Sequence, residues 1–294
     1  MKKYLLIFTM LLMAMPSCKK EDVFALWRDP KYLVISSEAT NFFTMMQYNI
    51  YGANSPWDSD RFDRVAAVIN NNKPDFVSLN EVDSMTTRNK FFMARELANR
   101  TGMYYAYAKA REPFSLHWNQ PGAYGDAVLS KYPIQEIRRF KLYPAEEQGE
   151  TDKEDRSVCA IRVNVNGESL WIASTHFDHR SVETSRIYQA NQLLPILQSL
   201  EGTLLLCGDL NANPKSNTMA IIFQYLQALY PSNTPEFYTC PANYNGEHPD
   251  GPTTIIDYIL MKRDEQRIEC VSYRVDRTPA SDHCAVIATF KYRE

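Results

Sequence analysis

Leu204-Leu205-Leu206-Cys207-Gly208-Asp209-Leu210-Asn211 is an apolar run that stops at a glycine and then presents an acid and an amide two residues apart. Consecutive apolar residues bounded by turn residues predict a strand covered on both faces. Because side chains alternate along a strand, Asp209 and Asn211 are expected on the same side. A carboxylate and a carboxamide at a sheet edge suit a hard cation, a phosphate or a catalytic water. Taken alone, the segment is equally compatible with an ordinary polar turn that ends at Pro214.

Polar side chains also stand at or near the ends of five other predicted strands. These residues are Asn49, Glu81, His176, Asp257, Asp282 and His283. Each of them alone has an ordinary structural explanation, such as a strand cap, a turn or a hydrogen-bonded surface histidine. Eight such residues at the ends of six apolar strands instead indicate one shared site at a sheet edge.

Apolar periodicity predicts two passes of strand, helix and strand. The predicted segments are strand 42–50, helix 60–71, strand 75–81, helix 91–99 and strand 103–108, then strand 168–175, helix 182–200, strand 203–207, helix 217–230, strand 255–260 and strand 284–290. This alternation is typical of an α/β fold whose ligands gather at strand ends.

Two hairpins are predicted between the passes. They join strand 125–130 to strand 134–142 across Lys131-Tyr132-Pro133, and strand 156–165 to strand 168–175 across Asn166-Gly167. The dipeptide Asn-Gly is a strong hairpin signal because both residues tolerate positive φ. Residues 111–124 form a predicted loop that either lines the substrate site or covers the surface, and residues 231–254 a long surface loop of the kind that carries specificity.

The amino terminus has the pattern of a bacterial secretory signal. Lys2 and Lys3 precede an apolar run over residues 4–15, and Ser17 precedes Cys18. The run is too short to span a bilayer as a stable anchor. We predict a signal peptide at 1–17, a lipidated tether at 18–40 and a catalytic domain at 41–294. The chain would then be a lipoprotein of the cell envelope, attached to the membrane through lipid on Cys18; the alternative is an ordinary signal peptide cut nearby.

The charge balance argues against general nucleic-acid binding. Without Lys2 and Lys3, 30 basic residues face 35 acidic residues. Nucleic-acid affinity depends on neutralising phosphates with Lys and Arg, so an acidic chain is a poor generic partner. The basic cluster Lys131, Arg138, Arg139 and Lys141 is interpreted as a solvated strand face. We expect a monomer whose partner is a phosphate-ester substrate.

Five cysteines remain after Cys18, and they have no Cys-x-x-Cys spacing. This pattern indicates neither a zinc knuckle nor a disulfide framework. Cys159, Cys207 and Cys284 lie in apolar stretches and are expected to be buried. Whether Cys240 and Cys270 form a disulfide stays open.

Seven segments, in the same order along the chain, resemble the motifs of the endonuclease/exonuclease/phosphatase superfamily, over roughly residues 42 to 292. They are Tyr48-Asn49-Ile50, Leu79-Asn80-Glu81-Val82-Asp83, residues 125–134, Ser174-Thr175-His176, Gly208-Asp209-Leu210-Asn211, Ile256-Asp257-Tyr258-Ile259 and Ser281-Asp282-His283. The resemblance implies a four-layer α/β/β/α sandwich, with two packed mixed β-sheets flanked by helices. It also implies hydrolysis of a phosphate ester with Mg²⁺ or Mn²⁺ as cofactor.

The resemblance also implies a role for each polar residue. Glu81 would bind the metal, helped by Asn49 and Asp282. Asp209 and Asn211 would orient or deprotonate the attacking water and hold the scissile phosphate, and His176 would donate to phosphoryl oxygens. His283, oriented by Asp257, would act as general base or stabilise the transition state. Whether Asp209 or His283 takes the proton stays open at this point.

Two residues depart from the family pattern, and three alternatives stay open. Asn80 stands where glutamine is common, and Asp126 where asparagine is common. Export and acidity favour a small or lipid phosphodiester outside the cytoplasm, and an exported nuclease is the main alternative. A dizinc hydrolase could instead use His176, Asp178, His179 and His283. The third alternative is a catalytically silent lipoprotein that binds a surface ligand.

Overall fold

The structure is a computed structural model that describes residues 41–53, 60–112, 122–146, 154–242 and 248–293. The predicted signal peptide at 1–17, the predicted tether at 18–40 and most of the loop after Arg111 lie outside these residues. No helix in the described ranges combines the length and apolar character needed to cross a bilayer.

The first sheet contains six strands in the order β11-β12-β1-β2-β4-β3. Its strands are β1 (Phe42–Asn49), β2 (Phe76–Ser84), β3 (Tyr104–Arg111), β4 (Ala123–Ser130), β11 (Ile268–Asp276) and β12 (Ala285–Tyr292). Helix α1 (Arg61–Asn72) connects the parallel pair β1 and β2, and helix α2 (Met93–Thr101) follows β2.

The second sheet has the order β5-β6-β7-β8-β10-β9. Its strands are β5 (Ile134–Leu142), β6 (Arg156–Val165), β7 (Glu168–His176), β8 (Thr203–Asp209), β9 (Leu226–Ala228) and β10 (Asp257–Lys262). Helix α3 (Thr184–Gln198) connects the parallel pair β7 and β8, and the short helix α4 (Asn217–Ile222) follows β8. Each sheet thus contains one parallel pair joined by a helix.

Strand β8 shows how alternation builds the layers. Leu205 and Cys207 face the apolar core between the two sheets, whereas Leu204 and Leu206 pack into the core beneath α3 and α4. A third core lies between the first sheet and helices α1 and α2. Three cores separate four layers, which confirms the predicted α/β/β/α sandwich.

The space between the sheets changes from apolar to polar along the strands. On β1, Phe43 and Met45 join the inter-sheet core, and Gln47 and Asn49 continue the same face. Because strand side chains repeat every second residue, Asp209 likewise continues the face of Leu205 and Cys207. The polar ends of both sheets therefore meet at one edge of the inter-sheet space.

The hairpin predicted across Lys131-Tyr132-Pro133 is wrong. Strand β4 pairs with β2 and β3 in the first sheet, while β5 pairs with β6 in the second. The turn residues were recognised correctly, but the turn carries the chain from one sheet to the other. The hairpin across Asn166-Gly167 is confirmed, since β6 and β7 pair directly around it.

Two other predictions are wrong, and one strand was not predicted. The helix predicted at 217–230 ends at Ile222 and is followed by β9, and the sequence pattern did not reveal β11. Strand β2 does not end at Glu81. Its pairing with β4 shifts by one residue between Leu79 and Val82, and Glu81 has φ +60°. Such a bulge changes the direction of a side chain without ending the strand.

Gly208 offers a test of this packing. A Cβ at this position would lie 2.0 Å from the carbonyl oxygen of Thr175 on the neighbouring strand. We expect Gly208→Ala to lower the free energy of unfolding by about 3 kcal/mol or more, because backbone cannot move aside. Urea unfolding measures this loss.

Gly202→Ala is the matched control. Gly202 has φ +97°, but a Cβ added there would meet no atom of the described residues within 4 Å. Only backbone strain of about 1–2 kcal/mol is therefore expected. Equal losses in the two variants would contradict the steric explanation.

Candidate active site

Strand register brings three of the candidate residues side by side. His176 pairs with Asp209 across the parallel strands β7 and β8, and Asp257 pairs with Asp209 across β8 and β10. From the opposite sheet, Asn49 Nδ2 donates to Asp209 Oδ2 over 2.9 Å and to Glu81 Oε1 over 3.3 Å. The two sheets are thus connected at Asn49, and Asp209 lies at the centre of the site.

Asp209 is a buried carboxylate surrounded by donors. Its Oδ1 accepts from the backbone N–H of Asn211 at 2.9 Å, and its Oδ2 lies 3.5 Å from His176 Nε2 and 3.7 Å from His283 Nε2. Burial raises the pKa of Asp209, and His283 opposes this shift. The arrangement makes Asp209 the one carboxylate that both histidines approach among the described residues.

His283 is held by a buried acid. Its Nδ1 donates to Asp257 Oδ2 over 2.8 Å, and its Nε2 also lies 3.6 Å from Cys240 Sγ. Burial lowers the pKa of His283, but the carboxylates of Asp257 and Asp209 outweigh burial and raise it well above its ordinary value. Asp257 therefore fixes both the orientation and the tautomer of this imidazole.

His176 has a different environment. Arg156 Nη1 donates to His176 Nδ1 over 3.0 Å, and burial together with this guanidinium lowers the pKa of His176 well below its ordinary value. The ring is therefore neutral, so it carries one N–H and accepts at one nitrogen only. Its Nδ1 faces the Arg156 guanidinium, and its Nε2 lies 3.5 Å from Asp209 Oδ2 and 3.0 Å from the amide donor Asn211 Nδ2. A neutral imidazole is thus placed at the centre of the site.

Glu81 and Asp282 form a carboxylate pair next to Asn49. Burial and then the charge of Asp282 raise the pKa of Glu81, while burial raises that of Asp282. The hydroxyl of Ser281 donates to the backbone oxygen of Asn49 over 2.7 Å and so fastens the Asp282 segment to β1. Two repelling carboxylates and an amide oxygen are hard donors that fit Mg²⁺ or Mn²⁺.

A second group of possible ligands is less suitable. Ligand atoms of Asp209, Asp257 and His283 lie within 4.8 Å of one another. However, Asp257 already binds the Nδ1 proton of His283, which leaves an acid–histidine pair rather than an open ligand set. We therefore expect the cation to bind at Glu81, Asn49 and Asp282. The metal-binding role of these three residues stays a prediction.

The dizinc alternative does not fit the structure. The Nδ1 atoms of His176 and His179 both face the guanidinium of Arg156, at 3.0 and 3.4 Å. Asp178 forms an ion pair with Arg180 at 2.9 Å. A divalent cation bound to these nitrogens would have to displace the guanidinium of Arg156. The positive charge of Arg156 would then remain buried without these hydrogen-bond partners.

The main positioning residue of the site, Asn80, was not predicted from the sequence. The side chain of Asn80 accepts from Gln47 Nε2 at 2.6 Å and from the backbone N–H of Asp209 at 3.0 Å. Its Nδ2 donates to Asp126 Oδ1 at 2.7 Å and to the backbone oxygen of Thr175 at 2.9 Å. The only sequence signal was that Asn80 and Asp126 both depart from the family pattern, and the structure shows that they contact each other.

Several other predicted residues have structural partners. Cys159, Cys207 and Cys284 are buried as predicted, and Cys240 and Cys270 are both free thiols. Within the basic cluster, the side chains bind protein oxygens. Lys131 binds Asp75, Arg138 binds Glu136, Arg139 binds the backbone oxygen of Tyr107, and Lys141 binds Asp155. The sequence predicted a solvated strand face; the structure shows that the charges of the cluster are paired and that Lys131 lies in the turn before β5.

Together, the two-sheet sandwich and its polar edge of carboxylates, amides and histidines define a phosphoric ester hydrolase. Residues 46–283 match the family described as Endonuclease/Exonuclease/phosphatase family, and the chain belongs to it. No curated protein matches the chain.

Solved structures share the fold at low sequence identity. An endonuclease/exonuclease/phosphatase from Beutenbergia cavernae is 21% identical, with a TM-score of 0.65 over 85% of this chain and 72% of its own. A mannosyl-6-phosphatase from Bacteroides thetaiotaomicron is 15% identical, with a TM-score of 0.65 over 86% and 100%. The human Nocturnin catalytic domain with bound sulfate is 19% identical, with a TM-score of 0.61 over 86% and 94%.

Asp126 gives a pH prediction. Burial raises its pKa from 3.8 to about 6, against hydrogen bonds from Ser157 Oγ at 2.5 Å and Asn80. Because the folded-state pKa lies above the unfolded value, the contribution of Asp126 to stability falls as pH rises from about 4 to above 6. Asp126→Asn should therefore gain roughly 1–2 kcal/mol relative to wild type between pH 5 and pH 8.

Urea unfolding of both proteins in EDTA at these two pH values measures the gain. Stability differences that stay equal at pH 5 and pH 8 would show that Asp126 has an ordinary pKa.

Proposed function

We propose that the chain is a divalent-metal-dependent phosphodiesterase that acts outside the cytoplasm on a small or lipid phosphodiester. The observation that carries the proposal is the position of Asp209 between two imidazole Nε2 atoms and Asn49, beside the carboxylates of Glu81 and Asp282. Family membership supports phosphate-ester hydrolysis, and the acidic composition and the amino-terminal signal pattern support the substrate class.

The roles follow from the contacts. A divalent cation held by Glu81, Asn49 and Asp282 would neutralise phosphate charge and favour in-line displacement. Asp209 orients the attacking water and accepts its proton, since it is the acceptor on which the surrounding donors converge. His176 would donate a hydrogen bond from Nε2 to a phosphoryl oxygen. His283, held by Asp257, stabilises the negative charge that develops on the phosphoryl group.

A nuclease is the alternative within the same chemistry. The basic cluster on β5 and its neighbours is already bound to carboxylates and backbone oxygens, so it offers little charge to a nucleic-acid backbone. Parallel assays with plasmid DNA, RNA, sphingomyelin and inositol phosphates distinguish the substrates.

Glu81→Gln and His283→Gln test the catalytic proposal. We expect each variant to lose at least about a hundredfold in Mg²⁺-dependent hydrolysis of bis-p-nitrophenyl phosphate. Calorimetry with Mn²⁺ should show weaker metal binding in Glu81→Gln and unchanged metal binding in His283→Gln, because only Glu81 is placed at the cation.

The matched control is His248→Gln, since His248 is exposed in a turn. Undiminished turnover in both site variants would refute the catalytic proposal. Ligand binding without turnover in the wild-type protein would favour the silent lipoprotein.

We also propose that Cys18 carries the lipid that attaches the chain to the cell envelope. The support is the sequence pattern of residues 1–18 alone. Cys18→Ala should move the protein from the membrane fraction to the soluble fraction and abolish labelling with radioactive palmitate. A wild-type protein that takes up no label would contradict lipidation.

A further inference from the structure

An open cleft of about 700 Å³ adjoins the proposed catalytic centre. Glu81 and His176 line the end of the cleft that belongs to the centre. The wall beyond them contains Tyr124, Arg111 and Arg156. A substrate whose scissile phosphate lies at His176 would extend into this cleft, so its walls decide which substrates fit.

Arg156 is a buried cation at the junction between the cleft and the centre. It is 1% exposed, and its Nη1 and Nη2 donate to the imidazoles of His176 and His179. These nitrogens accept hydrogen bonds but supply no negative charge. Its carboxylate partner is Glu154, at 3.0 Å, and its Nε has no hydrogen-bond partner among the described residues. A buried charge with so little compensation is costly unless an anion completes it.

Glu154 is shared between two guanidinium groups. Its Oε1 lies 2.8 Å from Arg111 Nη2, and its Oε2 lies 3.0 Å from Arg156 Nη2. One carboxylate therefore faces two positive charges. The arrangement has the geometry of an anion held by two arginines, with Glu154 in the position of the anion.

The other acids on the cleft wall are already engaged. Asp83 accepts from Arg88 Nε at 2.8 Å and Nη2 at 3.1 Å, and Glu112 accepts from Lys109 at 2.6 Å. Glu81 belongs to the predicted cation site. Arg111 and Arg156 share one carboxylate, Glu154, within hydrogen-bond distance, and Asp126 and Glu81 act on Arg156 only from further away.

We infer that Arg111 and Arg156 form a second anion-binding subsite, and that the substrate is a small phosphodiester with a second anionic group, a phosphate or a carboxylate. This group would take the place of Glu154 between the two guanidinium groups. Because Arg156 binds Nδ1 of His176 and the scissile phosphate faces Nε2, the two anions lie on opposite edges of one imidazole. The inference rests on the proposed function for the position of the scissile ester.

Binding to metal-free protein tests the subsite without requiring turnover. In EDTA, calorimetry with inorganic pyrophosphate should show about tenfold weaker binding in Arg111→Met, because a charge-assisted hydrogen bond is lost. Glu154→Gln should bind pyrophosphate more tightly than wild type, since the competing carboxylate is neutralised. Arg95→Met is the matched control, because it also removes one positive charge but takes it from an exposed guanidinium on α2.

Turnover tests the substrate class. With Mg²⁺, kcat/KM should be about tenfold higher for a phosphodiester that carries a second anion than for its matched partner without one. If the second anion is a phosphate, the preferred substrate is glycerophosphoinositol 4-phosphate over glycerophosphoinositol. If it is a carboxylate, the preferred substrate is glycerophosphoserine over glycerophosphoethanolamine. Arg111→Met should reduce the preferred ratio to near one, and Arg95→Met should not.

The outcomes separate the two proposals. Pyrophosphate binding that is equal in wild type, Arg111→Met and Glu154→Gln would overturn the subsite, even if the enzyme hydrolyses esters. Variant-dependent pyrophosphate binding without hydrolysis of any ester would support the subsite and refute the proposed function. Hydrolysis with no preference within either substrate pair would overturn the inferred substrate class.

Discussion

One buried carboxamide, that of Asn80, holds the site together. It lies on β2 in the first sheet and binds the backbone of Thr175 and Asp209 on β7 and β8 in the second. Within its own sheet it binds Gln47 and Asp126. All its donor and acceptor capacity is used, so a shift of either sheet would leave several buried polar groups unpaired. This contact, together with the Asn49–Asp209 and Ser157–Asp126 hydrogen bonds, fixes the relative position of the sheets and with it the position of Asp209.

The site follows from this constraint as the polar end of the inter-sheet space. The same strand faces that build the apolar core carry Asn49 and Asp209 further along. This arrangement places the two histidines of the site in different environments. On one side, the carboxylates of Asp257 and Asp209 raise the pKa of His283 despite its burial, and on the other side burial and then Arg156 lower the pKa of His176. Two histidines of the same intrinsic chemistry therefore act differently because their neighbours carry opposite charges.

The extent of successful prediction differs between local and long-range features. The Asn166-Gly167 hairpin was predictable, because its turn chemistry permits one geometry. Lys131-Tyr132-Pro133 was misinterpreted, because a turn signal does not reveal whether the flanking strands pair with each other or join different sheets. The position of Glu81 was found, but its bulge was not, since one extra residue in a strand leaves no trace in a short apolar pattern.

The sequence by itself determined the order of most strands and helices, the four layers through the family resemblance, and the polar residues at the strand ends. Apolar periodicity and motif spacing are local properties, so they can be read without a structure. Only the tertiary structure decided that Asn80 spans the sheets, that Arg156 binds both His176 and His179, and that Glu154 lies between two arginines. These contacts join residues whose separation along the chain follows no period, and their geometry exists only after the two sheets have packed.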